Sequence, residues 1–393
     1  MLYENLWSDP ESYDVQLLDE NLSFADLMES TVKFQSDAKI AWHRPRVERE
    51  VMAELQKRSD LQGYRQALSH LGLWLTTGIL AYLAFLNVSS ATWLWSIPLL
   101  LVALFAHGTV GSFLGGTACH ELGHKTVFKS KLPNEIFLRI FAFFGWWDHI
   151  WFRPSHIKHH QLTTHHDYDG EVVLPQRFSF KDWQFWLSLF GWNPVGTWRT
   201  LVTYYKRASG KLDNEWYEFV MPESDERLRH RHRAWARFCL IGHAALAALF
   251  IITGHWFLIF IFNIGAQYCG WLAFLCGTPQ HYGMQGEVAD HRLCCRTYIS
   301  TGLPAFLYWN MQYHVEHHTF PAVPFFNLPK LRKAIEHDLP PAPRGLWETW
   351  KGMLEIHRKQ RGDPDYFFVP ELPAGSGDEH APNQVLEREA SGV

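Results

Sequence analysis

Two pairs of long apolar runs limit what this chain can fold into. From Leu71 to Leu86 it reads LGLWLTTGILAYLAFL, and after a short polar break at Asn87-Val88-Ser89-Ser90 a second run continues from Ala91 to about Leu114. Neither contains Asp, Glu, Lys or Arg. About 20 helical residues cross a hydrocarbon core of roughly 30 Å, so each run is long enough to span one. Backbone amides in lipid must be satisfied within their own segment, which makes helices the expected elements. A second pair lies at 235–253 and 255–275, divided by Gly254. The expected fold is therefore an all-α membrane protein. It has four transmembrane helices, at about 68–88, 91–114, 235–253 and 255–275, in two hairpins. The alternative, buried core helices of a soluble protein, fits poorly, because paired uncharged runs of this length are rare in soluble cores.

Charge sets the orientation. The loop tips near Ser89 and Gly254 carry no Lys or Arg, whereas Arg44, Arg46, Arg49, Lys57, Arg58 and Arg65 precede the first pair and Arg227, Arg229, Arg231 and Arg233 the second. The positive-inside rule then puts both termini and the long middle segment in the cytoplasm. We expect a cytoplasmic segment over 1–64, a membrane domain over 65–370 with a helical cap built from 117–234 and 276–370, and a disordered tail over 371–393. The aromatic-rich stretches 133–152 and 182–205 read as interfacial or re-entrant helices. The first forty residues are acidic and polar, without a secretion-type start. A net charge of −4 gives no reason to expect nucleic acid as a partner. The 6 Cys contain no CxxC pair, which argues against a disulfide scaffold or zinc ribbon.

The chain holds 23 His, and their spacing carries the functional argument. His120 and His124 are an i, i+4 pair directly after the second run, on one face of a helix. His156, His159 and His160 share a face at i, i+3, i+4, as do His314, His317 and His318 after the fourth run. A lone helical histidine is more often structural than ligating, but three clusters at ligand spacing reverse that expectation. Eight imidazoles exceed the four ligands of one zinc, so two metals at about four nitrogens each is the natural count. Imidazole suits iron, copper, zinc and nickel alike. Metal-bound imidazoles usually donate their other N–H to a carboxylate or carbonyl, which makes Asp148, Asp167, Asp169, Glu171 and Glu316 candidate outer partners. His149, His165, His166 and His291 remain; of these, His165 and His166 read as polar neighbours rather than ligands.

These boxes, with the phrase Tyr313-His-Val-Glu-His-His-Thr-Phe-Pro321, resemble the signature of the integral-membrane fatty-acid desaturase and hydroxylase superfamily over about residues 65–340. The resemblance implies a ninth ligand at His281 and two irons held at the cytoplasmic face of a four-helix stem. One departure is Gly277, where some members place an Asn; Asn310, four residues before His314, is a candidate to hydrogen-bond or hold a water near the metals. The implied reaction is O2-dependent desaturation or hydroxylation of a fatty-acyl, lipid or other alkyl-bearing substrate. No iron–sulfur, dinucleotide or haem signature is present, so no bound flavin or haem is expected. Electrons would come from a ferredoxin, rubredoxin-type protein or cytochrome with its reductase.

Three other readings exist. The phrase HELGH is also the zinc-protease motif, with Glu121 as general base, but that leaves His156, His159, His160, His314, His317 and His318 without a role. A di-iron hydroxylase of a small non-lipid metabolite has the same ligands and a different substrate. A non-catalytic receptor or metal carrier would not need every box intact.

Overall fold

The structure, a computed structural model, describes residues 39–176 and 180–374. The expectations for residues 1–38 and for the tail from 375 lie outside those residues. Among the described residues the regular elements are helical, with two isolated β-bridges and no strand. In order, α1 (Arg49–Leu55), α2 (Asp60–Leu86) and α3 (Trp93–Gly111) lead through a π-helical turn, Leu114–Ala118, into α4 (Cys119–Gly123). Then come α5 (Lys131–Phe144), α6 (His149–Leu162), α7 (Trp183–Phe190), α8 (Pro194–Ser209), α9 (Glu215–Val220) and the long α10 (Glu226–Ile252). A second π turn, Ile259–Asn263, precedes α11 (Trp271–Gly277), α12 (His291–Cys294), α13 (Gly302–Leu307), α14 (His314–Thr319), α15 (Leu328–Ala334) and α16 (Gly345–Gln360).

Three helical segments are long and apolar enough to cross a membrane: Asp60–Leu86, Trp93–Gly123 and Glu226–Ile252. They cover the runs expected at 68–88, 91–114 and 235–253 except for one or two residues at one end of each. Their outward faces carry large exposed side chains such as Leu68, Ile79 and Leu83 on α2, Leu101 and Val102 on α3, and Ile241 and Ile252 on α10. So much contiguous apolar surface is what lipid, rather than water, accepts.

The run at 255–275 differs from expectation: it is not one continuous helix. The π turn ends at Asn263, and regular helix resumes only at Trp271. The cause lies in the sequence FNIGAQYCG. A Cβ on Gly265 would sit 2.1 Å from the Ile261 carbonyl oxygen and 2.7 Å from His107 Nε2, so the chain turns there against α3. The irregular backbone is satisfied by protein: Cys269 N–H donates to the Gly191 carbonyl at 2.8 Å and Gly270 N–H to that of Ser188 at 3.1 Å. Trp146 Nε1 donates to the Asn263 carbonyl at 2.6 Å. Non-helical backbone at membrane depth is tolerated on that condition.

The aromatic stretch at 133–152 becomes α5 and the start of α6, and that at 182–205 becomes α7 and α8. Trp183, Trp186, Phe190 and Trp198 remain exposed along this second pair. α8 has conventional ends: the Asn193 side chain accepts from Val195 and Gly196 N–H, Pro194 occupies the first turn, and Gly210 closes it at φ 93°.

Three devices bring the histidine boxes together. The π turn lets α4 follow α3 with His120 buried, and there the backbone nearly touches α5: a Cβ on Gly145 would meet Gly115 N at 2.7 Å. Asp148 caps α6 by accepting from Ile150 and Trp151 N–H, and its other oxygen lies 2.7 Å from His232 Nδ1 and 3.6 Å from Arg207. Before α14, Trp309 and Asn310 both adopt positive φ, 49° and 56°, a sharp turn fixed by Trp309 Nε1 donating to His70 Nδ1 at 3.0 Å.

Candidate metal centre

Nine imidazoles, from α4, α6, the loop after α11, and α14, converge into two neighbouring groups. In the first, His120 Nε2 lies 2.8 Å from His317 Nε2, 3.3 Å from His124 Nε2 and 3.2 Å from His156 Nε2. His160 Nε2 is 3.0 Å from His156 Nε2. These five residues form one set able to hold a metal ion. In the second, His281 and His314 present their Nε2 atoms 2.9 Å apart. His318 and Cys295 complete that set, and the His159 ring lies 4.9 Å from that of His318. The two groups touch where the His160 and His318 rings stack at 4.3 Å.

The opposite ring nitrogens are held from behind. His156 Nδ1 donates to Glu171 Oε1 at 2.7 Å, and the other oxygen of that carboxylate accepts from Ser155 Oγ at 2.7 Å. His159 Nδ1 donates to Asp169 Oδ2 at 2.7 Å, an oxygen that also accepts from Thr164 N–H at 2.8 Å. His281 Nδ1 donates to the Cys294 carbonyl at 2.9 Å. The Gln280 amide lies 3.0 Å from His314 Nδ1, and Thr163 Oγ1 3.1 Å from His318 Nδ1. Where Nδ1 donates outward to a carboxylate or carbonyl, in His156, His159 and His281, the neutral ring carries its Nε2 lone pair inward, whereas Gln280 Nε2, an amide donor, gives its proton to His314 Nδ1.

The electrostatics agree with this arrangement. Burial, then repulsion from the other imidazoles, holds His156, His160, His314, His317 and His318 well below the ordinary histidine pKa. His281 is pushed down to about 3 for the same first reason. His159 is the exception: burial lowers it, but the charge and hydrogen bond of Asp169, with Glu171, outweigh burial and leave it above its usual value. His120 Nε2 faces three other Nε2 atoms at about hydrogen-bond distance, more than one ring nitrogen can satisfy by hydrogen bonding. His318 Nε2 is buried with no partner at all. A cation in each group satisfies these nitrogens, so the residues present fit two metal ions.

The outer candidates divide. Asp169 and Glu171 reach the imidazoles. Asp148 serves the α6 cap instead, and Glu316 accepts from Thr297 Oγ1 and Arg332 Nη1, fixing α14 rather than a ring nitrogen. Asp167 is exposed, with His166 Nδ1 3.6 Å from its carboxylate. Asn310 Nδ2 donates to the Phe325 carbonyl at 3.2 Å, on the turn that leads into α14. His149 packs edge-on against Trp235, and His165 Nδ1 pairs with the Thr163 carbonyl. Glu121 lies buried with Oε1 3.8 Å from His317 Nδ1, and neither atom has a hydrogen-bond partner. Sequence reasoning missed Cys295, Gln280 and Thr163. None has a ligand spacing of its own; adjacency to His281 was the only signal for Gln280.

Comparison with known proteins places the chain in a family. A family model described as fatty acid desaturase matches residues 92–350. The chain is 23% identical over 292 residues to the dihydrorhizobitoxine desaturase of Bradyrhizobium elkanii, covering 67% of this chain and 73% of that protein. It is 24% identical over 287 residues to a sphingolipid delta(4)-desaturase of Komagataella phaffii, covering 67% and 70%. A fatty acid conjugase of Calendula officinalis is 24% identical over 237 residues, covering 53% of this chain and 63% of that protein. With a family match spanning well over half its length and all three histidine boxes gathered in one buried centre, the chain belongs to the fatty acid desaturase family.

Proposed function

We propose that this protein is a membrane-bound oxidoreductase that desaturates or hydroxylates an alkyl-bearing substrate at a di-iron centre, using O2 and electrons from a separate carrier protein. The observation that carries the reading is the pair of buried imidazole groups, one of five nitrogens and one of four with a neighbouring thiol, at the base of apolar helices. His120, His124, His156, His160 and His317 would hold one iron, and His159, His281, His314 and His318 the other. Bound iron supplies the activation of O2 toward an unactivated C–H bond.

The chain's own residues prepare that chemistry. Glu171, Asp169 and the Cys294 carbonyl fix the tautomer and direction of three rings. Burial of His120, His156, His159, His314, His317 and His318 excludes bulk water. The three apolar helices, with the broken 255–275 run as a fourth crossing, hold the centre against the bilayer and keep the cap on the cytoplasmic side. Relatives named for a sphingolipid, a fatty acid and dihydrorhizobitoxine are similar at nearly the same level, so similarity does not select the substrate. The HELGH phrase does not act as a protease motif here: His120 and His124 face other imidazoles, and Glu121 is enclosed.

The test compares cells making the wild type and His317→Ala, each with a ferredoxin and its reductase, by mass spectrometry of lipid and polar fractions. Products dependent on the wild type that have lost two hydrogens or gained one oxygen support the reading. Purified wild-type protein that binds no iron would sink it.

A further inference from the structure

His291 has no part in the centre as described, yet it is 3% exposed and neither of its ring nitrogens has a hydrogen-bond partner. Leaving a buried polar group unpaired is costly, and an apolar ring would fill the same space without that cost. What His291 does have is two aromatic contacts. One face stacks on Trp42, with ring centroids 3.9 Å apart and planes at 12°. Its ring also lies 5.3 Å from that of His318 in the second group. Trp42 is only partly buried. The rings therefore form a continuous line from the protein surface to an imidazole of the centre.

The segment carrying Trp42 is pinned across the second group. Trp42 Nε1 donates to the Gln161 carbonyl at 2.9 Å, His43 N–H donates to the Ala289 carbonyl at 2.8 Å, and His43 Nε2 meets Asp338 Oδ2 at 2.8 Å. Residues 39–50 expose Lys39, Arg44, Arg46 and Arg49 against Glu48 and Glu50. Arg44 is close enough to act electrostatically on His291. A basic rim around an accessible aromatic edge complements an acidic partner and steers its approach.

We propose that Trp42 and His291 are positioning residues for electron entry: a small acidic one-electron carrier protein docks at the Arg44–Arg46 rim and delivers its electrons through the two stacked rings to the second imidazole group. The proposal rests on the function given above. Each reduced carrier is oxidised by one electron. In a desaturation, two carriers and the two C–H bonds supply four electrons to one O2. With two protons from the substrate and two from solvent, the oxygen leaves as two waters.

The experiment uses purified full-length protein and two reductants: photoreduced plant-type [2Fe–2S] ferredoxin, which is acidic, and dithionite with methyl viologen, which needs no docking site. Iron content and the rate of reduction of the iron centre are read for each. Trp42→Leu should slow ferredoxin-driven reduction by about an order of magnitude with unchanged iron content and an unchanged dithionite rate. Trp42→Phe, which keeps a stacking ring, should restore most of that rate. The double variant Arg44→Glu, Arg46→Glu should raise the ferredoxin concentration for half-maximal rate and flatten its salt dependence. A ferredoxin-driven rate indifferent to Trp42→Leu would overturn the path. Equal slowing with both reductants, or loss of iron, would reduce Trp42 to a structural role and overturn it too. Wild type that holds two irons but accepts no electrons from ferredoxin would overturn the acidic partner. Wild type without iron would overturn the function itself.

Discussion

The two imidazole groups are built in different ways. The first draws four of its five members from two local pairs, His120/His124 and His156/His160, each on one helix. The second draws one residue from α6, one from the loop after α11 and two from α14, beside the thiol of Cys295 just after α12. It is held by contacts between distant segments, such as Thr163 with His318 and Gln280 with His314. Helical spacing alone presents most of the first group, while the second exists only once the cap has folded. The largest effect that separates them is loss of a ligand. His124→Ala should lower metal content from about two to about one ion per chain and abolish turnover, while His281→Ala should remove the other ion. Metal analysis of the two purified variants checks this; loss of both ions from either one would mean the groups are not separable.

That contrast also explains what could be read from the sequence. The i, i+4 and i, i+3, i+4 spacings identified eight imidazoles because a helix converts spacing into a shared face. Three of the four apolar runs were equally legible, each matching a long helix to within a few residues at one end. The 255–275 run was not, because average hydropathy ignores what two glycines, Asn263 and Gln267 do to the backbone. Asp169 and Glu171 could be named from proximity to the second box. Which one reaches which imidazole depends on the turn after α6, where Thr164 sits at φ 57°. Asp148 was a reasonable candidate by the same logic, but its partners are Arg207 and His232, from helices about 60 and 80 residues further on.

The carboxylates give the next test. Glu171 holds His156 of the first group and Asp169 holds His159 of the second. Replacing an outer partner typically costs about 10–100-fold in metal affinity. Glu171→Gln should therefore weaken the first ion and Asp169→Asn the second, each within that range, as read by competition with a chelator. Because Asp169 Oδ2 also accepts from Thr164 N–H, the Asp169→Asn loss should be the larger of the two.

Protonation distinguishes the groups more gently. In the first, His156, His160 and His317 lie well below the ordinary histidine pKa, so no proton must leave for a metal to bind near neutrality. In the second, the Asp169 carboxylate holds His159 above it, so His159 takes up its second proton at a higher pH than an ordinary histidine. Binding there must expel that proton, so affinity should rise with pH, by up to about tenfold per unit, until the pH exceeds the raised pKa. Metal titrations at pH 6, 7 and 8 should show a sloped site and a flat one. Asp169→Asn should flatten the slope, since it removes the charge that raises His159. Two sites with equal slopes would remove the electrostatic half of the comparison.

The smallest effect concerns Glu121, whose carboxylate faces His317 Nδ1 at 3.8 Å. That is too long for a hydrogen bond, and both atoms are buried without partners. Glu121→Gln keeps the shape and removes the ionisable group. Because no bond is broken, first-group affinity should change by less than about tenfold, below the usual range for a bonded outer partner. A general base would behave otherwise: its loss typically removes about 10²–10⁴ of the rate, with metal binding intact. The two quantities therefore separate the roles. A small affinity change confined to the first group, with turnover following iron occupancy, is what an enclosed carboxylate beside a ligand should give. Collapse of turnover at full occupancy would assign Glu121 to proton transfer, and an effect on the second group would mean that α14, which carries His314, His317 and His318 together, transmits changes between groups that the geometry keeps apart.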